Sequence, residues 1–342
     1  MTYFSKECGC PGNLNMTAFT ALILPLLFCQ MPAYSMDHES GQLENLKGLS
    51  LENLLDLEVV SVSRKQQKLS DTAAAIYVID QEEIRRSGAT TIPELLRMVP
   101  GLHVAHINGN SWSVSARGFS GRFSNKLLVL MDGRSVYTPL YSGVYWDVQD
   151  TILGDIERIE VIRGPGASIW GANAVNGVIN IITKSAHETQ GNQLKLVAGN
   201  EEQGMLEFRH GAQVSDATSY RFYLKGFERD ESVKFDGTEA HDDWDAQRVG
   251  FRLDSALSIT DDLTVQGQLY TGDSGQTINI AHIELPDVSE NSGGNLQLNW
   301  TRKLSALEQY NVQTYFDRTN REDRVTSEQR DTFDIEFRHY FP

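Results

Sequence analysis

Beyond Gly191 apolar and polar positions alternate with a period of two, the spacing at which successive side chains of an extended strand point to opposite faces. Tyr220, Phe222 and Leu224 fall on one face and Arg221, Tyr223 and Lys225 on the other, while Val249, Phe251 and Leu253 oppose Arg248, Gly250, Arg252 and Asp254. The alternation returns in Leu263, Val265 and Leu269 against Thr264, Gln266 and Gln268, in Leu296, Leu298 and Trp300 against Asn295, Gln297 and Asn299, and in Phe333, Ile335 and Phe337 against Asp334, Glu336 and Arg338. With segments at 193–198, 205–211 and around Tyr310, Val312 and Phe316, about eight strands are predicted. A sandwich in water alternates too, but its second face would not carry Arg, Asp, Glu, Gln and Asn opposite nearly all of the aromatic and aliphatic bulk. The pattern suits a sheet that is apolar toward lipid and polar toward a lumen. Short turns at 215–216, 261–262 and 305–306 alternate with longer loops expected at 230–243, 273–293 and 320–329, an asymmetry typical of outer-membrane barrels.

The preceding stretch has mixed periodicity. Asp80 with Glu83 reads as a capping box that opens a short helix stopped by Gly88. Thr91 with Glu94 repeats the device for a helix over 92–99, with Pro93 in its first turn and Pro100-Gly101 beyond it. Strands are predicted at 75–79, 102–107, 112–116, 127–131, 156–162 and 178–183, with Asp132-Gly133 as a turn. Further upstream, an apolar run over 18–28 precedes Ala33-Tyr34-Ser35, a small-x-small pair suited to cleavage before Met36, so residues 1–35 read as a secretory signal. The expected fold class is an α+β domain followed by antiparallel transmembrane β-barrel strands. The expected division is a signal at 1–35, an N-terminal segment at 36–60, a globular domain at 61–190 and a partial barrel at 191–342.

Composition narrows the function. The 342 residues hold 30 basic and 46 acidic side chains, a net charge of -16 and the wrong sign for a phosphate-backbone binder, so nucleic acid is excluded as a partner. Charge is uneven: net -5 over 36–60, +1 over 61–190 and -12 over 191–342. Cys8, Cys10 and Cys29 all precede residue 36, so the exported chain offers neither a disulfide framework, a thiolate metal site nor a cysteine nucleophile. His103 and His106, three apart on a strand, point to opposite faces and should not share a metal. Gly166-Ala167-Ser168-Ile169-Trp170-Gly171 lacks the spacing of a nucleophile elbow, and no Gly-Lys-Ser/Thr follows the glycines to complete a phosphate loop. No enzyme, cofactor or metal site is expected.

The run Ile156-Glu157-Arg158-Ile159-Glu160-Val161-Ile162-Arg163-Gly164-Pro165-Gly166 continues through Ser168-Ile169-Trp170-Gly171-Ala172-Asn173-Ala174 to Gly177-Val178-Ile179-Asn180-Ile181-Ile182-Thr183-Lys184. It resembles the plug signature of TonB-dependent outer-membrane receptors, as do Ala116-Arg117-Gly118-Phe119 and Leu128-Val129-Leu130-Met131-Asp132-Gly133-Arg134. The likeness covers about residues 61–185. It implies a receptor in the Gram-negative outer membrane, surrounded by lipid, that captures a scarce solute such as a siderophore or cobalamin and imports it with energy delivered by TonB. The TonB box of such receptors is an extended apolar peptide, and Val59, Val60, Ser61, Val62 and Ser63 are similar to it; the same valines also read as the first strand of the plug. By resemblance the Arg and Glu of the Arg-Gly-Pro strand lie near the barrel wall, so Arg117, Arg134, Glu160 and Arg163 are the expected plug–barrel contacts. These contacts should be polar, because an apolar interface would not release when pulled.

Solute contacts are expected from loops at 108–111, 120–125 and 138–146. Tyr137, Tyr141, Tyr145 and Trp146 form an aromatic cluster suited to a bulky flat or cyclic ligand, and equally to the packing core of the plug. Loop 230–243, with six acids and one Lys, hints at a cationic or metal-bearing ligand. One feature departs from the family. Barrels that hold a plug have about 22 strands, and an eight-stranded barrel is filled by its own side chains. A truncated sequence is therefore expected, lacking about 14 strands. The alternative is a plug-like ligand-binding or sensory outer-membrane protein without transport.

Overall fold

The computed structural model describes residues 58–59, 67–68, 75–121, 123–164, 166, 170–171, 173–280, 282–305 and 307–341. Of the valine-rich peptide at 59–63, only Val59 lies among them. It is buried and belongs to β1 (Glu58–Val59), which pairs antiparallel with β2 (Gln67–Lys68).

The globular domain is built on a five-stranded sheet. Its order is β3 (Ile76–Asp80), β8 (Ile156–Ile162), β9 (Gly177–Thr183), β6 (Leu127–Met131) and β7 (Arg134–Ser135), antiparallel except between β6 and β9. Helix α1 (Gln81–Ser87) starts where predicted: the Glu83 amide donates to Asp80 Oδ1 at 2.8 Å and the Asp80 amide to Glu83 Oε2 at 3.1 Å. Helix α2 (Ile92–Leu96) is shorter than expected, and Thr91 does not cap it with its side chain; Glu94 instead accepts from the Thr90 amide at 3.4 Å. Ile79, Ile92, Leu95, Leu96, Ile156, Ile159, Ile179 and Ile181 are fully buried together and form the centre of the core. Each such side chain contributes about 1.5–3 kcal/mol relative to exposure, enough to hold helices of one or two turns that would not persist alone. A separate hairpin, β4 (Leu102–Asn108) with β5 (Ser111–Ala116), stands outside this sheet.

Strands β10 (Gly191–Val197), β11 (Glu202–Ser215), β12 (Thr218–Arg229), β13 (Trp244–Ala256), β14 (Asp261–Ile280), β15 (Ile283–Lys303), β16 (Gln309–Glu322) and β17 (Ser327–Tyr340) form an antiparallel meander. Among the described residues β10 and β17 each have one neighbour, so the sheet is open. The expected long loops at 273–293 and 320–329 are largely strand. β14 and β15 pair continuously from Asp261 opposite Arg302 to Ile280 opposite Ile283. Their Gly, Ser and Asn content hides the period-two signal, but the backbone ladder needs only N–H and C=O groups. The connection that remains irregular is 230–243; with 198–201, 282 and 323–326 it marks one end of the sheet, here the loop end.

Burial is inverted across the wall. Leu224, Val249, Leu296 and Phe333 are 37%, 50%, 53% and 71% exposed, whereas Lys225, Arg248 and Gln297 are only 3–4% exposed. The polar face is covered by the globular domain, with which the sheet forms one compact unit over residues 51–342.

Candidate functional site

Charged side chains on alternating wall positions reach acids in the segment just before β8. Lys225 Nζ donates to Asp150 Oδ1 at 2.9 Å and to the Thr151 carbonyl at 3.1 Å. Arg209 pairs with Asp155, Arg221 Nε lies 3.9 Å from Asp155 Oδ2, and Arg321 Nη1 donates to Asp147 Oδ2 at 2.8 Å. In the opposite sense, Arg134 Nη1 donates to Asp317 Oδ2 at 2.6 Å. The Asp132-Gly133 turn is also held by the wall: Gln266 Nε2 donates to Asp132 Oδ2 at 3.1 Å and Gln297 Nε2 to the Asp132 carbonyl at 2.5 Å. On the plug side of this junction, burial pushes the Lys184 ammonium below its ordinary 10.5, with Asp155 opposing the fall.

The expectation of an all-polar junction fails near the loop end. Trp112 on β5 meets Trp244 edge-on at 5.5 Å, Trp244 meets Phe227 at 4.7 Å, and the Arg229 guanidinium covers both wall rings at 4.3 and 4.5 Å. With Met205, these wall side chains belong to the same apolar cluster as the core of the domain. Next to this seam, the wall loop 230–243 grips the β4–β5 turn. The Gly109 amide donates to Asp242 Oδ2 at 2.6 Å, and Asn110 Nδ2 donates to the Gly275 carbonyl at 2.7 Å. Burial opposes ionisation of Asp242, but bonds from Ser232 and the Gly109 amide outweigh it and hold the carboxyl below its ordinary 3.8.

Above the seam lies a cleft of about 610 Å³ between the domain and the loop end of the wall. Trp112, Phe123, Tyr141, Tyr145 and Trp146 supply aromatic surface, Asn110, Gln276, Thr277 and Asn279 supply amides and hydroxyls, and Asp147, Arg321 and Asp323 supply the charges. Phe123, Tyr141 and Tyr145 form a chain of rings at 5.0 and 5.1 Å. Burial pushes the Tyr141 phenol well above its ordinary 10, helped by Asp147; it raises Tyr145 likewise, with Arg321 opposing. The cleft can therefore hold a large ligand against neutral rings and amides.

The family model for the TonB-dependent receptor plug domain matches residues 68–178. Residues 68–178 are a TonB-dependent receptor plug domain. The vitamin B12 transporter BtuB of Vibrio cholerae serotype O1 is 33% identical over 199 residues, 58% of this chain and 32% of that protein. The ferripyoverdine receptor of the Pseudomonas aeruginosa outer membrane superposes with a TM-score of 0.62 at 15% identity, over 80% of this chain and 37% of the other. The ferric-catecholate import receptor Fiu from E. coli K12 gives 0.60 at 15%, over 79% and 45%. These likenesses establish the fold of a receptor plug followed by wall strands. The chain spans about a third of the length of the curated relatives it matches.

Within this receptor plug, the residues singled out from sequence take different places. Arg134 is carried to the wall. Arg117 and Arg163 hold plug segments instead: Arg117 Nη2 donates to the Arg163 carbonyl at 3.3 Å and Arg163 Nη1 to the Pro100 carbonyl at 2.7 Å. Glu160 is completely buried and accepts from Arg158 Nε at 2.8 Å inside the plug. Tyr141, Tyr145 and Trp146 line the cleft, Trp146 also packing into the core; Tyr137 lies beside them, donating to Ser142 Oγ at 3.1 Å while its carbonyl accepts from Arg330 at 2.5 Å. Asp147, Asp150 and Asp155 went unread, although inward bases at 221 and 225 were the signal that buried acids had to face them. Among the described residues one group has metal-ligand types close together, Glu231, Glu239 and His241, with ligand atoms within 4.8 Å.

Proposed function

We propose that this chain serves in the Gram-negative outer membrane as a TonB-dependent receptor for active uptake of a scarce solute of the siderophore or cobalamin type. The observation that carries this reading is the inverted sheet: its apolar face is left exposed and its charged face is closed by a plug through buried ion pairs at Asp150, Asp155 and Arg134. A sheet with that polarity suits lipid outside and an occupied polar interior. Its likeness to a vitamin B12 transporter and to a ferric-catecholate import receptor supports that solute type. We infer the division into an export signal at 1–35, an N-terminal segment at 36–60, a plug at 61–190 and wall strands at 191–342.

Energy coupling is assigned to Val59, Val60, Ser61, Val62 and Ser63, whose β-branched backbone would add as a strand to a sheet edge of TonB. A strand that docks this way must leave its own hairpin; the backbone pairing of Val59 is only two residues long, but its buried side chain has to be withdrawn with it. The test is accumulation of cobalamin and of a ferric siderophore by cells that express the protein as their one such receptor, with and without TonB. Accumulation that vanishes without TonB, and with Val60→Pro, is the expected result. Surface binding of the solute with no accumulation in either strain would replace this reading with a sensory or binding role.

A further inference from the structure

The relatives present two chemically different cargoes, vitamin B12, an uncharged corrinoid, and a ferric catecholate, an anionic chelate. The floor of the cleft distinguishes them. Its charged lining is Asp147 and Asp323 against Arg321, a net charge of -1. The charge of Arg321 is already paired: Nη1 donates to Asp147 at 2.8 Å, and the guanidinium lies over the Tyr145 ring at 4.2 Å. Asp147 is tied from the wall a second time, by Ser274 Oγ at 3.3 Å. An adjoining cavity of about 370 Å³ adds Asp273, Glu290, Glu322 and Glu328 to the acidic side and shares the same Arg321 as its one base. A polyanion entering here would meet carboxylates in a partly dehydrated space, where like charges repel more strongly than in water.

Resting on the uptake reading above, we propose that the Asp147–Arg321 pair is the charge filter of this receptor. By neutralising Arg321, the one cation at the cleft floor among the described residues, Asp147 excludes polyanionic chelates and selects an uncharged ligand that offers flat apolar surface to Tyr141 and Tyr145 and amides to Asn110 and Gln276. Specificity here comes from the repulsive element as much as from the rings. Without its carboxylate partner, Arg321 would present free N–H groups toward the cleft, the donor geometry that suits catecholate oxygens.

The test is equilibrium dialysis of the full chain in detergent micelles against cyanocobalamin and, separately, the iron(III) tris-catechol complex, read by cobalt and iron content. The native protein should retain cyanocobalamin saturably and at least tenfold more tightly than the iron complex. Asp147→Asn should raise affinity for the iron complex about tenfold, and adding Arg321→Gln to it should abolish that gain, which separates an uncovered cation from a general loosening of the fold. Tighter retention of the iron complex by the native protein, or no gain in Asp147→Asn, overturns the filter and leaves the receptor reading standing. Retention of neither probe by any of the three proteins overturns both.

Discussion

Arg134 Nη1 of the plug stands 2.6 Å from Asp317 Oδ2 of the wall, and both side chains are at most a tenth exposed. A second guanidinium, Arg330 Nη2, lies 3.7 Å from the other Asp317 oxygen. The two partners are therefore not equivalent. Asp317→Asn strands the buried Arg134, while Arg330 keeps the Tyr137 carbonyl and Glu328, and should destabilise the protein by about 3–5 kcal/mol, the usual penalty for breaking a buried pair. Arg134→Met leaves Asp317 with Arg330 and should cost less than half of that. Urea unfolding of both variants in the same detergent checks the order; equal losses would mean that Arg330 does not share the carboxylate.

Gly133 has φ +82°, in the left-handed region, and a Cβ added there would sit 2.6 Å from Gln313 Nε2 on the wall. Gln313 is not free to retreat, since its Oε1 accepts from Arg338 Nη2 at 2.7 Å. Gly133→Ala should lower stability by about 1–2 kcal/mol from the backbone alone, with a further loss from displacing Gln313. In thermal unfolding, adding Gln313→Ala should recover the second part and not the first. Full recovery would place the strain in the side-chain clash and not in the turn.

What was legible beforehand follows from which signals are local. The faces of the wall strands could be read because Arg221 and Lys225, or Phe333 and Ile335, are sorted by a period that the backbone imposes on neighbouring residues. The Asp80–Glu83 cap was legible for the same reason, being complete within four residues. Thr91 was misread because Glu94 satisfies Thr90 instead, a choice made by packing that leaves no mark on the spacing. Strands through 273–293 were missed because their Gly, Ser and Asn side chains carry no apolar period while their ladder is backbone alone. The plug–wall pairs were the least readable. Asp150 and Lys225 are 75 positions apart, and charge pattern shows that each needs a partner without saying which.

The grip of Asp242 on the plug hairpin should fail in acid. Its carboxyl is held below the ordinary 3.8, so the bond to the Gly109 amide stabilises the folded state fully above that value and is lost as pH falls through the lower folded one. Hydrogen exchange at Gly109, corrected for the intrinsic pH dependence of exchange, should show unchanged protection from pH 7 down to the ordinary 3.8 and a drop only below it. Asp242→Asn should show weakened protection at every pH. Loss of protection already at pH 5 would assign the transition to another group.

Trp244 ties the wall to the plug by packing instead of charge, lying between Trp112 on one side and Phe227 on the other, with 5% of its surface exposed. Trp244→Ala should cost about 3–5 kcal/mol, as expected for deleting a large buried aromatic, whereas Trp244→Phe should retain most of the contact. The location of the loss is the sharper outcome. The cluster is shared, so backbone amides of β4 and β5 in the plug should lose exchange protection together with those of β12 and β13, while the five-stranded plug sheet, held to the wall at Asp132, Arg134 and Asp155, should keep its own. If protection falls uniformly across that sheet, the plug behaves as one rigid body and the tryptophan seam is not a separate anchorage for the hairpin.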